Sequence, residues 1–296
     1  GKPVIPRVVM VINANDKIAE VRGVAEGENL DPYIGDVVKK RLDEHPDGKS
    51  YEKKSADMKF LTAIDKKVKA KEALNKDDLI FLYEINSPIE GFGYNNERDP
   101  RIAELRKTRK AEEDALVVFE CEPNQIAYKP EEINKNTRTY IGPFFKGIFQ
   151  ANIEHIGTSF PEGMVKKMEA ELEGKDGSWL EKELKEKNIN ISDYASDMLK
   201  KLTVSTPEHL DLVRLTVKDL GFPNGATTDE IYQKGNELGL ELCPADTCPN
   251  LRLQNSTPDY MFIAMKQITD RDGYSHVFRL DCDDDGLWLD DFWANP

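Results

Sequence analysis

The sequence predicts an α+β protein, with an N-terminal β-hairpin, a central helical region, a mixed middle segment, and a C-terminal helix followed by an antiparallel β-meander. Apolar and polar residues alternate at both ends of the chain, and apolar residues recur at helical spacing between residues 32 and 111. Clusters of Gly, Pro, Asn and Asp separate these runs. We expect three segments, 1–113, 114–211 and 212–296.

The N-terminal hairpin is predicted from residues 4–25. Residues 8–12 are apolar and mostly β-branched, residues 13–16 supply the Asn and Asp of a turn, and residues 18–22 alternate. Two runs of this kind on either side of a turn are typical of paired antiparallel strands.

The central region carries four helix signals. Pro32 suits a first helical turn, Asn75 suits an N-cap, and Asp99 before Pro100 combines an N-cap with a proline at the first helical position. Between them, a long charged helix presents one apolar stripe, formed by Met58, Leu61, Ile64 and Val68. We expect this stripe to pack against the apolar residues of the following helix, Leu79, Leu82 and Tyr83.

The middle segment mixes strands and short helices. Residues 116–119 and 169–172 predict strands, and residues 130–133 predict a short helix. Ser178 with Glu181 matches a capping box, and Ser192 suits the N-cap of a further helix.

The C-terminal segment predicts one capped helix and then a meander. Val213, Leu215 and Val217 alternate as in a strand, Thr227 and Glu230 match a capping box, and Gly239 suits the helix end. Three strand-like runs follow at 260–268, 275–280 and 287–292, separated by Asp- and Gly-rich turns.

Several runs of this chain resemble a family of uncharacterised, modular bacterial proteins. In the first half the similar runs are residues 49–51, 57–62, 77–85 and 89–94. A second module of the family is similar to residues 220–227, 237–244 and 251–253. The resemblance implies no known activity. It implies that this region is one portion of a longer chain.

Charge and hydropathy limit the function classes. The net charge is −14, and residues 114–296 account for all of it, with 33 acidic and 19 basic residues against 22 of each in residues 1–113. An acidic field repels phosphate backbones, so we do not expect nucleic-acid binding by the whole chain. No apolar run reaches about 18 residues, so we expect no membrane span. Four cysteines in 296 residues are too few for a disulfide scaffold, which predicts reduced thiols and a cytoplasmic location.

The segment with the most specific spacing is residues 281–286. Asp281, Asp283 and Asp285 followed by Gly286 match the start of a calcium-binding loop, in which alternate carboxylates converge on one cation. Phe292 stands where such a loop needs its closing glutamate, and the flanking residues predict strands instead of helices. We therefore expect a hairpin turn, with calcium ligation by the three aspartates as the alternative.

A second possible metal set contains sulfur. Cys243, Cys248, Cys282 and His276 could supply four zinc ligands, although four residues separate the two closest cysteines and no second tight pair follows. Buried structural cysteine is the commoner role, so we expect no cofactor.

Two surfaces are candidates for recognition. Phe92 and Tyr94 lie in a glycine-rich loop, where exposed aromatic residues often mark interfaces. Arg106 and Arg109 belong to a basic cluster at 98–110, which predicts either a nucleic-acid contact or a solvated helix face.

No catalytic motif is present, neither a His-Glu-x-x-His helix nor a Gly-x-Ser-x-Gly elbow nor a phosphate loop. The leading hypothesis is a non-catalytic binding or protein-interaction module of a larger bacterial protein, with an unknown protein partner. The alternatives are a nucleic-acid-associated protein that uses the basic helix at 98–110, and a metal-dependent enzyme of unrecognised type.

Overall fold

Two compact units, Gly1–Glu122 and Pro123–Pro296, make up the computed structural model of the chain. The structure describes residues 7–12, 17–25, 28–29, 35–45, 47–93, 97–256, 260–283 and 285–294. The architecture is α+β, as the sequence predicted. Within the described residues, no helix is long and apolar enough to cross a membrane.

The division differs from the three predicted segments. A boundary after residue 113 would fall inside a helix, Ala111–Val118, and a boundary after residue 211 would fall inside a strand, Glu208–Arg214. Residues on both sides of position 211, among them Leu184, Met198 and Leu280, share one hydrophobic core. The middle and C-terminal segments therefore fold together.

The described residues of the first unit form a small antiparallel sheet and five α-helices. Its elements are β1 (Arg7–Ile12), β2 (Ile18–Ala25), β3 (Glu28–Asn29), α1 (Gly35–Asp43), α2 (Gly48–Lys69), α3 (Lys76–Leu82), α4 (Pro100–Lys107) and α5 (Ala111–Val118). Strands β1 and β2 form the predicted hairpin, and its predicted turn at 13–16 lies outside the described residues.

The helix caps of this unit follow the sequence signals. Asn75 and Asp78 form a reciprocal capping box at the start of α3, and the Asp99 side chain accepts a hydrogen bond from the Arg101 amide at the start of α4. In α2 the predicted stripe is buried at Leu61 and Ile64. Each cap satisfies amide groups that a helix start would otherwise leave without partners.

The predicted strand at 116–119 is wrong, because these residues continue α5. Three acidic residues, Glu112, Glu113 and Asp114, occupy the first turn of this helix, where the helix dipole favours negative charge. Ala115 and Val118 are buried one turn apart, which is a helical and not an alternating pattern.

In the part of the second unit that the structure describes, there are three sheets and four α-helices. Its elements are β4 (Ile126–Ala127), β5 (Thr139–Ile141), β6 (His155–Gly157), β7 (Lys166–Leu172), α6 (Gly177–Glu186), β8 (Asn190–Ile191), α7 (Asp193–Leu199), β9 (Glu208–Arg214), α8 (Thr228–Glu237), α9 (Thr247–Gln254), β10 (Met261–Phe262), β11 (Ile268–Thr269), β12 (Ser275–Asp283) and β13 (Gly286–Trp293). Strands β4, β5 and β6 form a parallel sheet, and β7 pairs with β9 in an antiparallel ribbon.

The C-terminal sheet has the order β10-β12-β13-β8, and β11 also pairs with β12. The three strands β10, β12 and β13 are antiparallel, as the predicted meander requires, and β8 from the middle of the chain adds a parallel edge. The run at 260–268 is not one continuous strand: it pairs with β12 as β10 and β11, and between them Met265 forms an isolated bridge with Cys243. Phe278, Leu280 and Leu289 are fully buried on the inner face of the sheet.

Local signals in this unit were mostly confirmed. Ser192 caps α7, the Thr227–Glu230 capping box begins α8, and Gly239 adopts a φ of +84° just after that helix. Two details differ. Asp176, not Ser178, caps α6, and β9 ends at Arg214, before Leu215 and Val217.

Candidate functional site

The most distinctive surface of the second unit is the outer face of the C-terminal sheet. Phe262 on β10 pairs with Arg279 on β12, and Arg279 pairs with Asp290 on β13. Side chains two residues apart in a strand share a face, so Tyr260 joins Phe262 and Phe292 joins Asp290. We call the set of Tyr260, Phe262 and Phe292 the aromatic face.

The three rings of the aromatic face form one contiguous layer. Ring centroids are 5.4 Å apart between Tyr260 and Phe262 and 4.7 Å apart between Phe262 and Phe292, and both pairs are T-shaped. Their exposed fractions are 50%, 44% and 47% in chain order. Rings that touch and yet remain half exposed leave an apolar patch in contact with water, which is a common mark of an interaction surface.

Arg279 lies at the centre of this face. Its guanidinium is 5.4 Å from the centre of the Tyr260 ring, bonds to Asp290, and is 3.1 Å from the Asp281 carboxylate. Burial lowers the pKa of Arg279, but the hydrogen bond and charge of Asp290 outweigh it, so the net shift is upward. Arg279 is thus held by two carboxylates, and a second guanidinium, that of Arg214, donates to the Tyr260 carbonyl oxygen at 2.9 Å.

The border of the aromatic face is acidic. Asp281 and Asp283 alternate with Arg279 along β12, and Asp290 pairs with Arg279 on β13, so these three carboxylates lie on the side of the sheet that carries the rings. Burial raises the pKa of Asp290, but the hydrogen bonds from the Asp291 amide and from Arg279 lower it by more. The net shift of the pKa is downward, so this carboxylate stays charged. The surface therefore combines exposed rings with negative charge.

The predicted hairpin turn at residues 283–286 is present. Asp283 pairs with Gly286 across the tip of β12 and β13, and Gly286 has a φ of +115°, which favours glycine. The Asp283 carboxylate accepts hydrogen bonds from the Asp285 amide (2.9 Å) and the Trp288 indole (2.8 Å). The side chain is engaged in shaping the turn.

The three aspartates of the calcium-like spacing do not converge. Asp281, Asp283 and Asp285 are all described, yet they are not among the side chains whose ligand atoms lie within 4.8 Å of one another. In an antiparallel hairpin such carboxylates diverge along the strands, whereas a calcium loop wraps them around one point.

The buried Arg252 holds the hairpin from behind. It lies in α9, is the largest fully buried side chain of the described residues, and donates to the carbonyl oxygens of Trp288 and Asp281 at 3.1 Å each. A guanidinium that bridges both strands restrains their relative position, so the outer face is presented by a rigid support.

Of the two aromatic residues predicted to form a recognition loop in the first unit, one is described by the structure. Phe92 is exposed, and its ring centroid is 5.2 Å from that of Tyr51. Tyr94 lies outside the described residues.

The arginines of the basic cluster bind within the protein. Arg106 donates to the Leu82 carbonyl and to the Glu84 carboxylate, both at 2.8 Å. Arg109 bonds through two nitrogens to the buried Asp114. These contacts direct both guanidinium groups towards the helices of their own unit, which weakens the case for a nucleic-acid surface here.

The four proposed zinc ligands do not assemble. All four cysteines are free, and Cys243, Cys248, Cys282 and His276 form no group with ligand atoms within 4.8 Å in the described part of the chain. Burial raises the pKa of the Cys248 thiol, which disfavours the thiolate that zinc requires. His276 instead lies between Asp291 (2.7 Å) and Asp270 (3.0 Å).

Sequence reasoning missed the aromatic face, although a signal exists. The pattern Tyr260-x-Phe262 and the pattern Trp288-x-Asp290-x-Phe292 each place large rings on one side of a strand. The sequence does not show that the rings of β10 and those of β13 lie on the same side of one sheet. That follows from the pairing of both strands with β12. No protein-family model, no curated protein and no solved structure matches this chain.

Proposed function

We propose that this chain is a non-catalytic interaction module of a larger bacterial protein of the cytoplasm, and that its aromatic face binds a polypeptide segment with basic and apolar side chains. The observation that carries the proposal is the layer of three half-exposed rings on the same side of the sheet as the carboxylates of Asp281, Asp283 and Asp290. The four free thiols agree with a reducing location.

Exposed rings favour a protein partner because aromatic side chains supply much of the energy of interfaces. Rings on paired strands lose little conformational freedom on binding, since their backbone is already fixed by the sheet. Removal of one such anchor typically costs about 2 kcal/mol, or roughly 30-fold in affinity.

Charge selects the chemistry of the partner. Asp281 and Asp290 form salt bridges with Arg279, and Asp283 adds a third carboxylate on the same side of the sheet, so the described carboxylates there outnumber this guanidinium. Lysine or arginine beside apolar residues would meet both features of the surface, while a phosphate backbone would be repelled.

The test is a selection of random peptides on the immobilised chain, with the Phe262→Ser/Phe292→Ser double variant as the counter-target. Both positions are half exposed, so the double variant should fold normally, as circular dichroism can verify. We expect the selected peptides to bind the wild-type chain and to fail to bind the double variant. Their sequences should be enriched in Lys or Arg next to aliphatic or aromatic residues.

Tyr274→Ser is the matched control, because Tyr274 is an equally exposed aromatic residue whose ring contacts Trp293 and not the aromatic face. It should leave the affinity of the selected peptides unchanged. Equal recovery of peptides on wild type and double variant, or enrichment of acidic peptides, would contradict the proposal.

A further inference from the structure

The ribbon of β7 and β9 carries a second cluster that the aromatic face does not use. Glu169 pairs directly with Asp211 across the two strands, and Glu171 pairs directly with His209. All four residues are exposed and lie on the same side of the ribbon, while Ala170 and Leu172 point into the core.

Three of these side chains offer metal ligands at one point. One ligand atom each from Glu169, His209 and Asp211 lie within 4.8 Å of one another, and theirs is the only such group in the described parts of the chain. The His209 Nε2 atom is 3.6 Å from Asp211 Oδ1, too far for a hydrogen bond between them. An ion between these atoms could contact both.

The fourth side chain fixes the imidazole. Glu171 Oε1 is 2.6 Å from His209 Nδ1, and because a carboxylate only accepts hydrogen bonds, Nδ1 carries the proton of the neutral ring. The lone pair of the neutral ring is then on Nε2, the nitrogen nearest Asp211. Metal-binding histidines are typically held in this way by a carboxylate on the opposite nitrogen.

The support of Glu171 is itself anchored. Its amide donates to Gln254 Oε1 at 2.9 Å, and its carbonyl accepts from Gln254 Nε2 at 2.6 Å. This pair of bonds ties the strand to α9, so the position that orients His209 does not depend on the ribbon alone.

Negative charge in the cluster lacks a lysine or arginine partner. Carboxylates directly opposite each other in a sheet repel, and within the described residues neither Glu169 nor Asp211 forms a salt bridge to Lys or Arg. Lys167 shares the face, but its ammonium group donates to the Ile153 carbonyl. Among the described residues, the group that the salt-bridge distances place against these carboxylates is the His209 ring, 2.6 Å from Glu171 and 3.6 Å from Asp211.

We propose that Glu169, His209 and Asp211 bind a divalent transition-metal ion such as Zn²⁺, with Glu171 as the group that orients His209. One imidazole nitrogen and two carboxylate oxygens suit Zn²⁺ and its neighbours better than Ca²⁺, which takes oxygen ligands only. Three protein ligands leave a fourth position of a tetrahedral ion open to water.

The test is calorimetric titration of the whole chain with Zn²⁺ alone, in the Cys243→Ser/Cys282→Ser background so that half-buried thiols do not compete. We expect one saturable site that is lost in His209→Gln and weakened about 10–100-fold in Glu171→Gln. Binding should also weaken at pH values below the pKa of His209, because a protonated imidazole cannot ligate.

Two controls separate the site from general surface charge. Glu173→Gln removes an exposed carboxylate beside the cluster, and His155→Gln removes a histidine elsewhere, and both should bind Zn²⁺ as the parent does. Absence of saturable binding in the parent, or retention of full affinity in His209→Gln, would overturn the proposal. Neither result bears on peptide binding by the aromatic face.

Discussion

Replacement of Asp114 by alanine should destabilise the helices of the first unit. The Asp114 carboxylate is almost fully buried between α3 and α5, where it accepts a hydrogen bond from the Tyr83 hydroxyl at 2.7 Å and is bound by two nitrogens of Arg109. Removing it leaves a guanidinium and a hydroxyl facing each other without their acceptor.

The size of the effect follows from the burial of the partners. Loss of one member of a buried ion pair costs about 3–5 kcal/mol. The Arg109 side chain is 23% exposed and can regain contact with water, so we expect the lower part of that range, about 3–4 kcal/mol. Tyr83→Phe removes one hydrogen bond to a charged group and should cost about 1.5–3 kcal/mol.

The assay must follow the first unit specifically. All three tryptophans lie at positions 179, 288 and 293, so their fluorescence does not follow these helices. Amide hydrogen exchange in α3 and α5 gives the free energy of opening there. Glu113→Gln is the matched control, since Glu113 is exposed in the same helical turn and should change that free energy by about 1 kcal/mol or less. An Asp114→Ala effect no larger than the control would refute the reasoning.

The remaining predictions use simpler measurements. Leu61→Ala should cost about 2–5 kcal/mol by amide exchange in α2, because this fully buried side chain leaves a cavity, and a cost under about 0.5 kcal/mol would show that the residue is exposed. Calorimetry should show no calcium binding tighter than about millimolar, and a micromolar site lost in Asp283→Ala would contradict the turn. Duplex DNA and single-stranded RNA should bind no tighter than about 1 μM at near-physiological salt, and steeply salt-dependent binding weakened by Arg106→Ala with Arg109→Ala would contradict this. Burial, and then Asp114, raise the pKa of Tyr83 above its ordinary value near 10, so its stabilising effect is complete below about pH 10 and is lost as the pH rises through the folded-state pKa. In alkaline absorbance titrations of the folded chain, the number of tyrosines that ionise near pH 10 should therefore be the same in wild type and in Tyr83→Phe. One fewer such tyrosine in the variant would contradict the prediction.

Local signals in the sequence were sufficient where the chemistry is local. Asn75, Ser192 and Thr227 cap helices as predicted because each side chain bonds to an amide three residues away. The strand predicted at 116–119 failed because an apolar run of four residues fits either a strand or a buried helix end, and the acidic first turn before it decided the matter.

The candidate sites depend on pairings between distant strands, which one sequence does not reveal. Glu171 and His209 are 38 residues apart and meet only because β7 and β9 share one register. Phe262 and Phe292 meet because both flank β12. The calcium hypothesis for Asp281, Asp283 and Asp285 rested on their spacing alone. In the structure they belong to a hairpin, which does not bring their carboxylates together as a calcium loop would.

The most direct test of the proposed interaction surface is hydroxyl-radical footprinting of the chain with and without a selected basic peptide. In the free chain Tyr260, Phe262 and Phe292 are half exposed and should be labelled, as should Tyr274. Binding should protect the three rings of the aromatic face and leave Tyr274 labelled. Protection elsewhere, with the three rings as reactive as before, would contradict the account.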